Sequence, residues 1–186
     1  MAASKVLKET TKNKHRAVDR HQAMSMLMAP SMTLLAYTQI LEDLHTWLSR
    51  LHVQLASLGL QSRYDPLRKI SLLEQDLTNL GISKAAPTSA ISPSLDYHFC
   101  LGVHYVVEGS TLGAQYIAPR VSQTLNRDDV THYFRGYGDD VMTLWQLTSE
   151  WLDQELPCEK TQKTAVEGAM FAFDSLLQIL NRRGHL

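Results

Sequence analysis

Residues 105–116, YVVEGSTLGAQY, place two glycines four apart in a stretch whose other positions read as helix. Each interior glycine costs a helix about 1 kcal/mol relative to alanine, through backbone entropy and lost side-chain contacts. Something in the fold has to offset that cost. The stretch also bears on fold class, because the three-and-four spacing of apolar residues around it continues through most of the chain, whereas sustained period-two alternation is absent. The expectation is an all-α, multi-helix fold, with residues 1–186 forming a single domain of about seven helices.

Working outward, the glycine-bearing helix is expected to run from near Leu95 to Ala118, where Pro119 should bend or interrupt it. Upstream, a first helix spans about Ser4 to Arg20. After the connection AMSMLMAP a long helix starts near Ser31, with an apolar stripe through Leu34, Tyr37, Leu41, Leu44, Leu48, Leu51 and Leu55 and a stop at Gly59. Another covers YDPLRKISLLEQDLTNL, with Asp65 as N-cap, Pro66 in its first turn and Gly81 as its stop. ISKAAPTSAISPS reads as a loop, and NRDDVTHYFRGYGDD as a polar connection. Two more helices, DVMTLWQLTSEWLDQEL and EKTQKTAVEGAMFAFDSLLQILNRR, complete the chain.

With 186 residues, 44% of them hydrophobic, the chain can bury a core and still enclose a guest molecule. A formal net charge of -1 gives no overall basic field, which argues against nucleic acid and anionic membrane surfaces as partners. The first residues are charged, and no apolar run approaches the roughly 18 residues needed to span a bilayer, so a cytoplasmic protein is expected. Cys100 and Cys158 match no metal-binding spacing and are expected to be reduced core residues.

At helical spacing Gly102, Tyr105, Gly109, Gly113 and Tyr116 share one face, which the missing side chains turn into a groove. Either a second helix packs there or a flat ligand does, and spacing alone favours the helix. On the first helix, Leu7, Thr11 and Val18 lie on one side, with His15 about 60° from Val18 and His21 equally far on the other flank. Lys8, two turns before His15, shares nearly its face. Spacing does not choose between the two histidines, and a histidine beside an apolar stripe is commonly a packing residue. Glu42 and His45 form one Glu-x-x-His motif, but a carboxylate-bridged di-iron site needs a second, and the pair also suits a solvated helix face. His52, His98, His104, His132 and His185 form no spacing cluster, and no phosphate loop, nucleophile elbow or zinc signature is present.

Two stretches together carry a resemblance. LKETTKNKHRAVD, residues 7–19, is similar to the N-terminal segment of the bacterial heme oxygenases that bears the proximal iron ligand, and YVVEGSTLGA, residues 105–114, resembles their distal helix with its E-G-S-x-L-G-A pattern. Weaker similarity covers EQDLTNLG, YFRGYG followed by Trp145, and EGAMFAF, in the family's order. The resemblance implies a heme oxygenase-like fold with heme b, both substrate and cofactor, between the first helix and the glycine helix. It selects His15 as the metal ligand and places Lys8 and Tyr105 at the propionates. Gly109 and Gly113 would bring backbone close to the opposite heme face, and Ser110 and Thr111 would help order water there. Gly109, Ser110 and Gly113 are thus the implied catalytic positions. Dioxygen would be co-substrate, the products biliverdin, carbon monoxide and ferrous iron, and the electrons would come from an external reductase or ferredoxin.

YFRGYG favours relatives that pass their bilin to a bacteriophytochrome. Three positions depart from the family pattern. Arg68 and Lys69 both stand where one arginine is expected, the last helix has no lysine or arginine between Lys163 and Arg182, and Met142 replaces a small residue. Two alternatives therefore stay open: a heme-binding or heme-sensing relative without efficient turnover, and a cofactor-free helical interaction domain.

Overall fold

The structure, a computed structural model, describes residues 1–59, 68–83 and 93–182. Its elements are α1 (Ala3–Asp19), α2 (Gln22–Met26), α3 (Leu34–Ser57), α4 (Arg68–Asn79), α5 (Tyr97–Gly109), α6 (Thr111–Leu125), α7 (His132–Arg135), α8 (Val141–Glu155) and α9 (Glu159–Leu180), with a 3-10 turn at Gly138–Asp140. All regular structure among the described residues is helical, as the spacing of apolar residues requires.

Local chemistry sets the helix ends. Helix α3 starts at Leu34, three residues after Ser31, and Thr33 caps it, its side chain accepting from the Ala36 N–H at 3.1 Å. Asp96 caps α5 by accepting from the N–H groups of His98 and Phe99 at 2.9 and 3.1 Å. Gly59 and Gly81, at φ of 65° and 77°, follow α3 and α4 in the left-handed conformation that stops a helix. Asp65, Pro66, His185 and most of the expected loop ISKAAPTSAISPS lie outside the described residues.

The centre of the fold is the packing of α5 against α9. A Cβ built on Gly102 would fall 1.8 Å from the Ala165 carbonyl oxygen, and one on Gly168 would fall 1.9 Å from that of Phe99. The two backbones therefore touch where each helix lacks a side chain. Close helix packing does occupy a glycine of the expected groove, but the glycine is Gly102. Behind this pair lies α3, whose buried Trp47 donates its indole N–H to the Ala172 carbonyl at 3.0 Å. Helix α1 lies along α9, its Leu7 and Thr11 buried.

Several expectations need correction. The glycine helix is interrupted at Ser110, whereas Pro119 sits inside α6. Side-chain donors explain the position of the break: Ser110 Oγ donates to the Val107 carbonyl at 2.7 Å and Thr111 Oγ1 to the Glu108 carbonyl at 2.6 Å. These bonds satisfy carbonyls that a continuous ladder would otherwise claim. The break also dissolves the common face, for Tyr116 is exposed to solvent while Gly102 faces α9. The methionine-rich connection contains α2, and the polar connection contains α7. Cys158 is exposed at the start of α9, unlike the buried Cys100. His45 is buried rather than solvated, and its Nε2 lies 3.3 Å from Glu74 Oε1. Among the described residues no helix is long and apolar enough to cross a membrane.

Candidate active site

A cavity of about 650 Å³ opens between α1 on one side and the α5–α6 break on the other, within the size range of small-molecule and cofactor sites. Its apolar wall comes from Leu44 and Trp47 of α3, Val106 of α5, Ile117 of α6, Phe134 of α7 and Phe173 and Leu176 of α9. Lys8, His15, Tyr105, Gly109, Ser110, Thr111 and Gly113, scattered over about a hundred residues of sequence, all line it. His21 does not border it: its Nδ1 accepts from the Ala23 N–H at 3.2 Å and caps α2, and its Nε2 lies 3.2 Å from Asn181 Oδ1.

His15 is held differently. Its Nδ1 lies 2.9 Å from a carboxylate oxygen of Asp19, one turn later on α1, and its ring meets Phe173 edge-on with centroids 6.0 Å apart. A carboxylate accepting from Nδ1–H fixes the tautomer and leaves the Nε2 lone pair for a metal, the arrangement that recurs around metal-bound imidazoles.

Across the cavity the glycines expose backbone. A Cβ on Gly113 would meet nothing within 4 Å, and one on Gly109 would meet only the Trp145 ring, at 3.4 Å. Gly113 thus faces open space, whereas Gly109 has the Trp145 side chain of α8 within van der Waals reach of its Cβ position. Tyr105 is buried with its ring centroid 5.6 Å from that of Trp145, and the Thr11 hydroxyl, also on the cavity, donates to the Leu7 carbonyl at 2.7 Å. With their own protons committed to backbone carbonyls, Ser110 and Thr111 face the cavity as acceptors.

Charge is distributed unevenly around this space. Lys8, Lys12 and Arg16 are exposed along α1 at one rim, whereas Lys69 is buried in the wall. Of the adjacent pair Arg68 and Lys69, only Lys69 borders the cavity. Its ammonium donates to the Val107 carbonyl and lies 3.3 Å from Glu108 Oε1. Tyr137 donates to Glu108 Oε2 at 3.0 Å, and its ring lies under both Arg68 and Lys69. Burial pushes the Glu108 carboxyl up, but Lys69 foremost, then His104 and Tyr137, hold it below its ordinary value. Burial lowers the Lys69 ammonium against the opposing attraction of Glu108.

Another buried carboxylate sets the far wall. Asp76 of α4 accepts from the N–H groups of His132 and Tyr133, both at 2.9 Å, and lies 2.7 Å from His132 Nδ1. Those bonds anchor α7 and thereby place Tyr133 and Phe134 on the cavity. Sequence spacing gave no sign of Trp47 or Phe173 as lining residues, or of Asp76 as the anchor of α7, because each role depends on packing between helices remote in sequence. Asp19 was visible only as part of a motif.

The family model described as heme oxygenase matches residues 1–182. No curated protein matches the chain significantly. Among solved structures, the chain is similar to heme oxygenase from Leptospira interrogans, with a TM-score of 0.82 at 16% identity over 98% of this chain and 100% of that one. It is also similar to the NO- and CO-bound heme oxygenase of Neisseria meningitidis, with a TM-score of 0.76 at 22% identity, covering 98% and 92% of the two chains. Heme oxygenase-1 of the cyanobacterium Synechocystis, solved in complex with heme, gives a TM-score of 0.75 at 17% identity with coverage of 98% and 92%.

Proposed function

The chain belongs to the heme oxygenase family, and from that membership we propose that the cavity between α1 and the α5–α6 break would hold heme, with His15 as the residue that holds its iron, for opening to biliverdin, carbon monoxide and ferrous iron. The observation that carries this reading is the pairing of a carboxylate-oriented imidazole with bare glycine backbone across one cavity.

The residues present fit a heme. The apolar wall suits a macrocycle, and two propionates require cationic or hydrogen-bonding partners, which Lys8, Lys12 and Arg16 supply along one rim. Tyr105 lines the same cavity. These α1 groups substitute for the basic residues missing from the last helix between Lys163 and Arg182. When bound, heme supplies iron for dioxygen activation and is itself the molecule oxidised.

The protein contributes position. Asp19 would orient the His15 ring, leaving Nε2 to hold the iron of a bound heme. Gly109 and Gly113 keep the opposite wall close, because no side chain there spaces the backbone away. Trp145, Tyr133 and Phe134 add aromatic surface to the rest of the wall. The family's chemistry needs electrons from outside, and the exposed cations of α1 offer an acidic reductase or ferredoxin a docking face.

Hemin titration of the purified protein tests the reading. A stoichiometric complex with the Soret band of a histidine-ligated heme is expected, followed by bilin formation on adding reductant in air. His15→Ala should lose the axial spectrum and His21→Ala should keep it. Binding without bilin would reject turnover; failure of wild-type protein to bind would reject the site.

A further inference from the structure

The buried pair Lys69 and Glu108, with the half-buried Tyr137 beside it, lies outside any role assigned above. We propose that Lys69 is a positioning residue of the glycine wall, and that its ammonium, held by Glu108 and Tyr137, fixes the break between α5 and α6. The inference extends the heme-site reading but rests on geometry present without any ligand.

Three side-chain donors converge on two consecutive carbonyls at the break. Ser110 Oγ and Lys69 Nζ both donate to Val107, and Thr111 Oγ1 donates to Glu108. Two of these donors belong to the broken helix and can follow it if it moves. Lys69 comes from α4 and ties the break to a separate element. A cation at the C-terminal end of α5 also complements the helix dipole. Its counter-ion, Glu108, stands next to the bonded carbonyl, so one ammonium grips two adjacent residues of the turn that leads into Gly109.

Glu108 is in turn held by the Tyr137 hydroxyl, from the segment between α7 and α8. Lys69 and Glu108 are both almost wholly buried, at 3% and 2% exposure. Desolvating such a pair is costly, and a neutral pair of similar volume would satisfy packing alone. What the charges add is a directional hold on the Val107 carbonyl. Without that hold the ladder can close through Ser110, which would rotate Gly113 relative to Gly109 and change the wall they form.

The test compares Lys69→Met/Glu108→Gln, which removes both charges at nearly constant volume, with Lys69→Arg, which retains a donor, and Tyr137→Phe, which removes only the outer tether. Amide hydrogen exchange is measured on ligand-free protein, and the C–O stretching band on the reduced, CO-bound heme complex. The double variant should exchange at least tenfold faster at residues 110–113 with α9 unchanged, and its C–O band should broaden or split. Tyr137→Phe should give a smaller change of the same kind, and Lys69→Arg should retain wild-type protection. Wild-type exchange at residues 110–113 in the double variant would overturn the proposal, as would acceleration spread evenly over α4, α5 and α9. If the double variant does not fold, unchanged exchange at residues 110–113 in Tyr137→Phe overturns it. Because exchange is read without heme, failure of hemin to bind would defeat the functional reading and leave this one to be judged separately.

Discussion

Alanine at Gly113 and alanine at Gly102 should have opposite effects, although both remove a glycine from the same region of sequence. At Gly113 the added Cβ meets nothing within 4 Å and the φ angle is not left-handed, so the ligand-free protein gains helix propensity without a clash. The gain is about 0.5–1 kcal/mol, equivalent to a Tm rise of about 1–4 °C for a chain of this size. At Gly102 the Cβ would lie 1.8 Å from the Ala165 carbonyl oxygen, so α5 and α9 must separate along a backbone-to-backbone contact. A cost of about 3 kcal/mol follows, which lowers Tm by about 6–12 °C. Gly113 lines the cavity, so a methyl there should overpack a bound heme by about 1–2 kcal/mol and weaken hemin affinity roughly five- to thirtyfold. Differential scanning calorimetry of the ligand-free variants and hemin titration of Gly113→Ala supply both readouts. Destabilisation of ligand-free Gly113→Ala by more than about 1 kcal/mol would show that Gly113 packs against protein, and would refute the assignment of the open space to a ligand. Unaltered hemin affinity would refute it equally.

Three other outcomes follow from the same geometry. Asp19→Asn should retain hemin binding but shift the ligand-field bands of the ferric complex, since the orienting acceptor at 2.9 Å from His15 Nδ1 loses its charge; an unchanged spectrum would remove Asp19 from the site. Burial holds the His104 imidazole down to about 4, against 6.5 when unfolded, so the unfolded chain takes up the proton first. Stability from this group is full above about pH 6.5 and is lost as pH falls toward 4, by about 3 kcal/mol in all; urea unfolding of wild type and His104→Gln across that window should show a smaller acid loss in the variant. Asp76→Ala strips the acceptor from two backbone N–H groups and one imidazole, and should cost about 3 kcal/mol in chemical denaturation. A cost below about 1 kcal/mol would mean that α7 is held by its aromatic packing alone.

Much of this architecture was legible in the order of residues. The helical period and the stops at Gly59 and Gly81 follow from local backbone preference. The histidine facing the cavity was legible only through its motif, because His15 and His21 flank the same stripe symmetrically. What separates them is tertiary: His21 spends both ring nitrogens on α2 and Asn181. The helix break was misplaced because Pro119 is the strongest local breaker, whereas the actual interruption depends on Lys69 arriving from α4 together with two hydroxyls. The choice between Arg68 and Lys69 was beyond a single sequence for the same reason, since adjacent residues on a helix point about 100° apart and only packing selects one. Short helices such as α7 are likewise set by a remote acceptor, here Asp76, and carry little periodic signal of their own.

The reciprocal apposition at Gly102 and Gly168 has a mechanical consequence. Two helices whose main chains touch cannot slide past one another without forcing carbonyl oxygens into Cα positions, so α5 and α9 act as a stiff keel. Compliance is then left to the parts that meet the keel through side chains, chiefly α1 and the segment beyond Ser110. Any rearrangement around the cavity would fall on those parts, with Phe99, Gly102, Ala165 and Gly168 as the stationary seam.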